Sequence, residues 1–300
     1  MTLYNQIASN RRRTTVLVVL FVVFVGLLGW FVGGLYGDRY AGLLFAALAI
    51  AVLNLIAFFA GDKVALATAG ARPIEKKDNP YVYRLVENLC VTSGIPTPKI
   101  YIIEDAAYNA FATGRNAKHA SIALTTGLIE GLENEELEGV ISHELSHIKN
   151  RDILVATLVV VLVGVVSLIG DFFLRMRFHG RSNRSNAGAI ALVFVLAGVL
   201  LAILSPLIAK LIQFAVSRQR EYLADASGSL LTRYPEGLAR ALEKIAQHEQ
   251  PMLKANHATA HLFFEDPFAH RTKKGGTAYH LFSTHPPIEE RVKRLRAVPG

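Results

Sequence analysis

His143 and His147 stand four residues apart with Glu144 between them, in the run His143-Glu144-Leu145-Ser146-His147. On a helix that spacing puts both imidazoles on one face, where they can reach a single metal ion. Glu144 starts about 100° further round the helix, so its carboxylate can reach a water on the ion without displacing a ligand. Zinc lowers the pKa of such a water to about 7. The carboxylate can take the water's proton and later pass it to a leaving amine. The pattern is therefore built for metal-assisted hydrolysis, whereas a solvated amphipathic helix has no need of it.

A catalytic zinc takes three protein ligands and keeps one position open. A third histidine close behind the motif is absent: Asn150 stands where the glycine of such an extension belongs and Ile153 where its histidine belongs. Downstream, Glu221 and Asp225 are again four apart and share a face if helical. Glu221 could bind the metal while Asp225 accepts a hydrogen bond from a ligating imidazole and fixes its tautomer. His257 and His261 form another four-apart pair, but no glutamate follows His257 and no third ligand is near, so no second metal is expected. Glu130, Glu133, Glu135, Glu136 and Glu138 read as a solvated face with acids at a helix start.

The motif must ride on a rigid element. Asn134 suits the N-cap of a helix with Glu135 and Glu136 in its first turn, running on past Ile148. Ahead of it, Tyr81 to Val91 reads as a helix stopped before Pro96 and Pro98. Lys99 to Ile103 and Ser121 to Thr125 read as strands, with Tyr108 to Gly114 a third strand or a turn.

Four apolar runs surround these polar blocks: Thr14 to Gly34, Ala41 to Ala60, Ile153 to Gly170 and Gly188 to Ala209. Each approaches the roughly 20 residues that a membrane-crossing helix needs, and hydrophobic residues make up 52% of the chain against 19% charged. The expected organisation is a basic tail over 1–13, a helix pair over 14–60 and a first catalytic block over 61–152. A second helix pair over 153–209 and a second block over 210–300 complete it. The first run is too long for a signal-peptide core and reads as an uncleaved anchor. The formal charge of +8 is assigned to membrane flanks rather than to nucleic acid. A single cysteine, Cys90, excludes an intrachain disulfide and any zinc site built from several cysteines. Ligands from both blocks must share one side of the bilayer, so the third and fourth runs make two crossings or none. Arg175, Arg177, Arg181 and Arg184 in their link, set against Arg11 to Arg13, put positive charge on both sides if they cross.

From Arg12 to the C-terminus the chain resembles the HtpX group of membrane metallopeptidases, and more distantly the prenyl-protein endopeptidases. The matching pieces are His143-Glu-Leu-Ser-His147, Arg220-Glu221-Tyr222-x-Ala224-Asp225, Asn109-Ala-Phe-Ala-Thr-Gly114 and Ser283-Thr-His-Pro-Pro287. The resemblance implies a mainly α membrane protein with a gluzincin-like α+β catalytic domain and a small β-sheet. It implies one zinc held by His143, His147 and Glu221, with Asp225 behind them and Glu144 as base. It also implies His285 at the oxyanion and an edge strand through Asn109, Ala110 and Phe111 for an extended substrate. Arg291 reads as the partner of a nearby acid. The expected function is endopeptidase action on misfolded or membrane proteins in quality control, at the inner membrane with the catalytic blocks facing the cytoplasm. A non-catalytic metal-binding scaffold is the alternative, and the intact Glu144 argues against it. Substrate identity and oligomeric state are not legible in the sequence.

Overall fold

The computed structural model describes residues 37–160, 218–248, 250–253, 259–265, 267 and 286–297, with scattered positions between 12 and 34. Side chains along three of its strands alternate between two apolar layers, the period-two pattern of a sheet covered on both faces. Ile100, Ala110, Ala112, Ile122 and Leu124 face one cluster, and Ile103, Phe111 and Ala123 face the other. The strands are β1 (Arg72–Pro73), β2 (Lys99–Ile103), β3 (Ala110–Gly114) and β4 (Ala120–Thr125), in the spatial order β1-β2-β4-β3. β2 runs parallel to β4, with Ile100 opposite Ile122, while β3 pairs antiparallel with β4, with Phe111 opposite Ala123. β3 is thus an edge strand. Its hairpin to β4 turns at Gly114, whose φ of +137° suits glycine.

The first cluster packs helices against the sheet. α2 (Pro80–Ser93) contributes Val82, Val86 and Leu89, and α6 (Pro235–Gln247) contributes Leu238, Leu242 and Ile245. Between them lies α4 (Asn134–Lys149), which buries Leu137, Val140, Ile141, Leu145 and Ile148. Those spacings make one helical stripe, and truncating any one such leucine to alanine costs about 2–5 kcal/mol. Gly139 lets α4 touch α6 at the backbone of Leu238, 2.8 Å from where a Cβ would stand. The short α3 (Thr126–Gly131) links β4 to this helix. α7 (Ile288–Arg296) adds Val292 and Leu295.

Two expectations about the start of α4 are corrected. Glu133, not Asn134, is the N-cap, in a reciprocal capping box with Glu136. Glu136 is not on a solvated face: it is fully buried, with Lys244 Nζ 2.8 Å from its Oε2 and Arg240 Nε 3.7 Å from its Oε1. Capping and ion pairing together compensate for taking that carboxylate out of water.

α1 (Arg39–Thr68) begins where the Asp38 carboxylate accepts from the amides of Tyr40 and Ala41, both at 3.0 Å. Its last turns enter the second cluster through Ala65 and Leu66, beside Phe111 and Phe263. Its middle exposes large apolar side chains, among them Leu44, Phe45, Leu48, Val52 and Leu55. Among the described residues no helix is long and apolar enough to cross a membrane. The expected pair over 153–209 lies outside the described residues beyond Val160, as do its link arginines.

Candidate active site

α4 carries the motif, and its inward face is nearly sealed: His143 is 1% and Glu144 2% exposed. Opposite stands α5 (Arg218–Thr232), which turns Glu221, Ala224, Asp225 and Gly228 toward it. Gly228 sets the distance between the two helices. A Cβ there would stand 3.0 Å from the His143 amide nitrogen and 3.0 Å from Ser142 Oγ. The close approach carries Asp225 and Glu221, one and two turns earlier, to the histidines.

His143, His147 and Glu221 each offer one ligand atom, all within 4.8 Å of one another. His143 Nε2 and His147 Nε2 are 3.1 Å apart. From Glu221, Oε2 is 3.6 Å from His143 Nε2 and Oε1 3.7 Å from His147 Nε2. Zinc bonds of about 2.0–2.1 Å at tetrahedral angles require donor separations of about 3.3–3.4 Å. The imidazole–imidazole separation falls just under that value, and the two imidazole–carboxylate separations, to different oxygens of Glu221, fall just over it.

The other ring nitrogens decide which way the lone pairs point. His143 Nδ1 lies 2.9 Å from Asp225 Oδ1, and His147 Nδ1 lies 3.1 Å from Asp152 Oδ2. Each Nδ1–H donates to its carboxylate, so both Nε2 atoms turn lone pairs toward one point. Two nitrogens 3.1 Å apart need a proton or a metal ion between them, and Glu221 beside them completes a set that can hold a metal. The residues present therefore fit a divalent metal, and two imidazoles with one carboxylate suit zinc.

Charges around the site are strongly coupled. Burial pushes the His143 imidazole toward its neutral form, but hydrogen bonds with Asp225 and Glu221 outweigh it and raise the pKa to about 9. Burial likewise opposes charge on Asp225, but the Arg291 guanidinium overrides it and holds that carboxyl near about 2. Arg291 donates to Asp225 twice, from Nε at 2.9 Å and from Nη2 at 2.7 Å, the acid partner expected for it. Burial raises the pKa of Glu144, which is also touched by the Ala112 amide of β3. A cavity of about 40 Å³ lies between Glu144, His143, His147, Glu221, Phe263 and Phe264. That is room for a water.

The anticipated substrate strand is the edge strand, but its groups are partly engaged. The Ala110 carbonyl accepts from the Phe264 amide at 2.8 Å. Asn109 Nδ2 donates to the Glu265 carbonyl at 2.9 Å and its Oδ1 accepts from the Glu265 amide at 3.2 Å. Phe111 faces the second cluster, edge-on to Phe263. His261 Nε2 lies 3.0 Å from the Ala156 carbonyl, and the residue lines the same cavity as His143, His147 and Glu221. His257 and His285 lie outside the described residues. Asp152, Gly228 and Phe264 were not singled out from sequence, and Arg220 was named only as part of the Arg220-Glu221-Tyr222 motif, with no role. A small residue one turn beyond Asp225 was the available sign for Gly228.

A base beside a His-His-Glu donor set, on a helix packed against a small mixed sheet, defines a metallopeptidase. The chain belongs to peptidase family M48, whose model matches residues 76–298. It is 43% identical over 302 residues to a protease HtpX homolog of Thermoanaerobacter pseudethanolicus, covering 99% of this chain and 98% of that one. It is 42% identical over 300 residues to one of Caldanaerobacter subterraneus subsp. tengcongensis, with the same coverage. A homolog of that name from Lactobacillus helveticus is 43% identical over 300 residues, covering 98% of this chain and 99% of the other. The crystal structure of S. mikatae Ste24p shares 18% identity at a TM-score of 0.48, covering 97% of this chain and 67% of that one, too distant a likeness to build on.

Proposed function

We propose that the protein is a membrane-associated zinc endopeptidase that cuts unfolded or membrane polypeptides, with a role in protein quality control. The observation that carries the chemistry is the convergence of His143 Nε2, His147 Nε2 and a Glu221 carboxylate oxygen within 4.8 Å of one another, beside the buried Glu144. In this reading those three residues hold one zinc ion. When bound, the zinc supplies a Lewis acid that lowers the pKa of water to about 7 and polarises a peptide carbonyl. Glu144 takes the proton of the attacking water and delivers it to the leaving nitrogen. The Ala112 amide keeps that carboxylate aimed into the cavity. Asp225, held by Arg291, keeps His143 in the tautomer that leaves Nε2 free. His285 is assigned to the oxyanion from the resemblance. An extended substrate adds to the edge of β3 near Asn109, Ala110 and Phe111, once the segment at Phe264 gives way.

Membrane association is supported by the exposed apolar middle of α1 and by its junction with the preceding run. A Cβ on Gly42 would run into the Gly29 carbonyl oxygen and the backbone of Gly33. Small residues at such a crossing are how apolar helices approach in lipid. With Arg11 to Arg13 on the cytoplasmic side, a hairpin over 14–60 returns the chain there. That orientation puts both catalytic blocks at the cytoplasmic face of the inner membrane, with 153–209 as the second inserted pair.

The test is proteolysis by the full chain in liposomes, with casein and a destabilised membrane protein as substrates. Cleavage of both, stopped by a chelator and restored by one equivalent of zinc, is expected. Cleavage indifferent to chelation and to zinc would overturn the reading.

A further inference from the structure

We propose that Asp152 and Arg220 position His147 for the metal, as a second arm built like the one that Asp225 and Arg291 form behind His143. The inference rests on the metal-site reading above and adds two residues to it. Asp152 Oδ2 lies 3.1 Å from His147 Nδ1, and its Oδ1 lies 3.7 Å from Arg220 Nη1. Both side chains are 7% exposed. Each ligating imidazole therefore donates to a buried carboxylate, and each carboxylate faces a buried arginine. The two arms also bridge the elements. Arg291 comes from α7, while Arg220 stands next to Glu221 and ties the third ligand's helix to the far end of α4.

The chain makes a local sacrifice to form this arm. Were α4 continuous, residue 152 would lie about 140° round the axis from His147, pointing elsewhere. Instead α4 stops at Lys149, and Arg151 adopts a φ of +61°. Helical backbone resumes at Asp152. A non-glycine residue held there is strained backbone. What the turn achieves is to fold Asp152 back against the His147 ring. With Nδ1–H donated to Asp152, Nε2 keeps its lone pair toward His143 Nε2 and Glu221. Without the carboxylate the ring is free to rotate and to exchange tautomers, and partners of this kind are typically worth 10–100-fold in metal affinity. Arg220 acts on His147 through Asp152.

The experiment measures zinc affinity of the detergent-purified full chain by competition with a chromogenic chelator, beside the absorption spectrum of the cobalt-substituted protein. Asp152→Ala is expected to bind zinc 10–100-fold more weakly and to shift the cobalt bands. Asp152→Asn, whose carboxamide oxygen still accepts from Nδ1–H, recovers part of the loss. Arg220→Met loses less than Asp152→Ala, and the double variant Asp152→Ala/Arg220→Met loses no more than Asp152→Ala alone. Wild-type affinity and an unchanged cobalt spectrum in Asp152→Ala would overturn the proposal. Should that variant not fold, wild-type values in both Asp152→Asn and Arg220→Met would overturn it equally. Absence of zinc binding in the wild type, as in His143→Ala, would instead remove the metal-site reading itself.

Discussion

Arg291 grips Asp225 through two nitrogens, at 2.9 and 2.7 Å, while the same carboxylate holds His143 Nδ1 at 2.9 Å. The guanidinium is fully buried and comes from α7, so that helix closes directly onto His143 of the candidate metal site. Removing one member of a buried pair strands the other charge. Arg291→Met is expected to destabilise the protein by about 3–5 kcal/mol, read by chemical denaturation of the metal-free chain. A loss below 1 kcal/mol would show that Asp225 finds another partner.

The pH dependence of metal binding follows from the same contacts. In the metal-free protein the His143 pKa lies near about 9, above its ordinary 6.5, and that of His147 is raised as well. Because the shift is upward, the protonated ring stabilises the metal-free fold fully below pH 6.5 and ceases to do so as pH rises through about 9. A metal must displace that proton. Apparent zinc affinity is therefore expected to climb between pH 6.5 and 9, by about tenfold per pH unit for each proton displaced, and then to level off. Chelator competition across that range checks it, and a flat profile contradicts it.

How much of this was legible before folding depended on distance along the chain. His143, Glu144 and His147 lie within a turn and a half of helix, so their geometry follows from helical period alone. Glu221 and Asp225 were found by the same four-residue spacing, together with the need for a third ligand. Asp152 escaped because its approach to His147 depends on a left-handed residue at Arg151, which no period announces. The burial of Glu136 was missed because a run of acids reads as solvent-facing until Lys244 and Arg240 arrive from a helix about a hundred residues later. Lys99–Ile103 was read with its observed bounds, since β-branched and aromatic residues fill it. The two-residue β1 has too few positions to alternate.

Gly228 offers a test of helix spacing. Its missing Cβ leaves no slack against the His143 backbone, so Gly228→Val must push α5 away and carry Glu221 with it. The expected result is a loss of zinc affinity with α4 intact by circular dichroism. Unchanged affinity would mean that Glu221 reaches the metal site without that close approach.

His285 is assigned to oxyanion stabilisation, which separates binding from rate. His285→Ala should retain one zinc per chain and lower kcat by about 10²–10³-fold, the usual effect of removing one such donor. Loss of zinc in that variant would move His285 from the reaction to the metal.

The most direct measurement is zinc content and casein cleavage on the same preparations of wild type and Glu144→Ala. The account predicts one zinc per chain in both, with cleavage in the wild type alone, because Glu144 moves the proton and does not hold the metal. Cleavage by Glu144→Ala at the wild-type rate would contradict it, as would wild-type protein that carries zinc and cuts nothing.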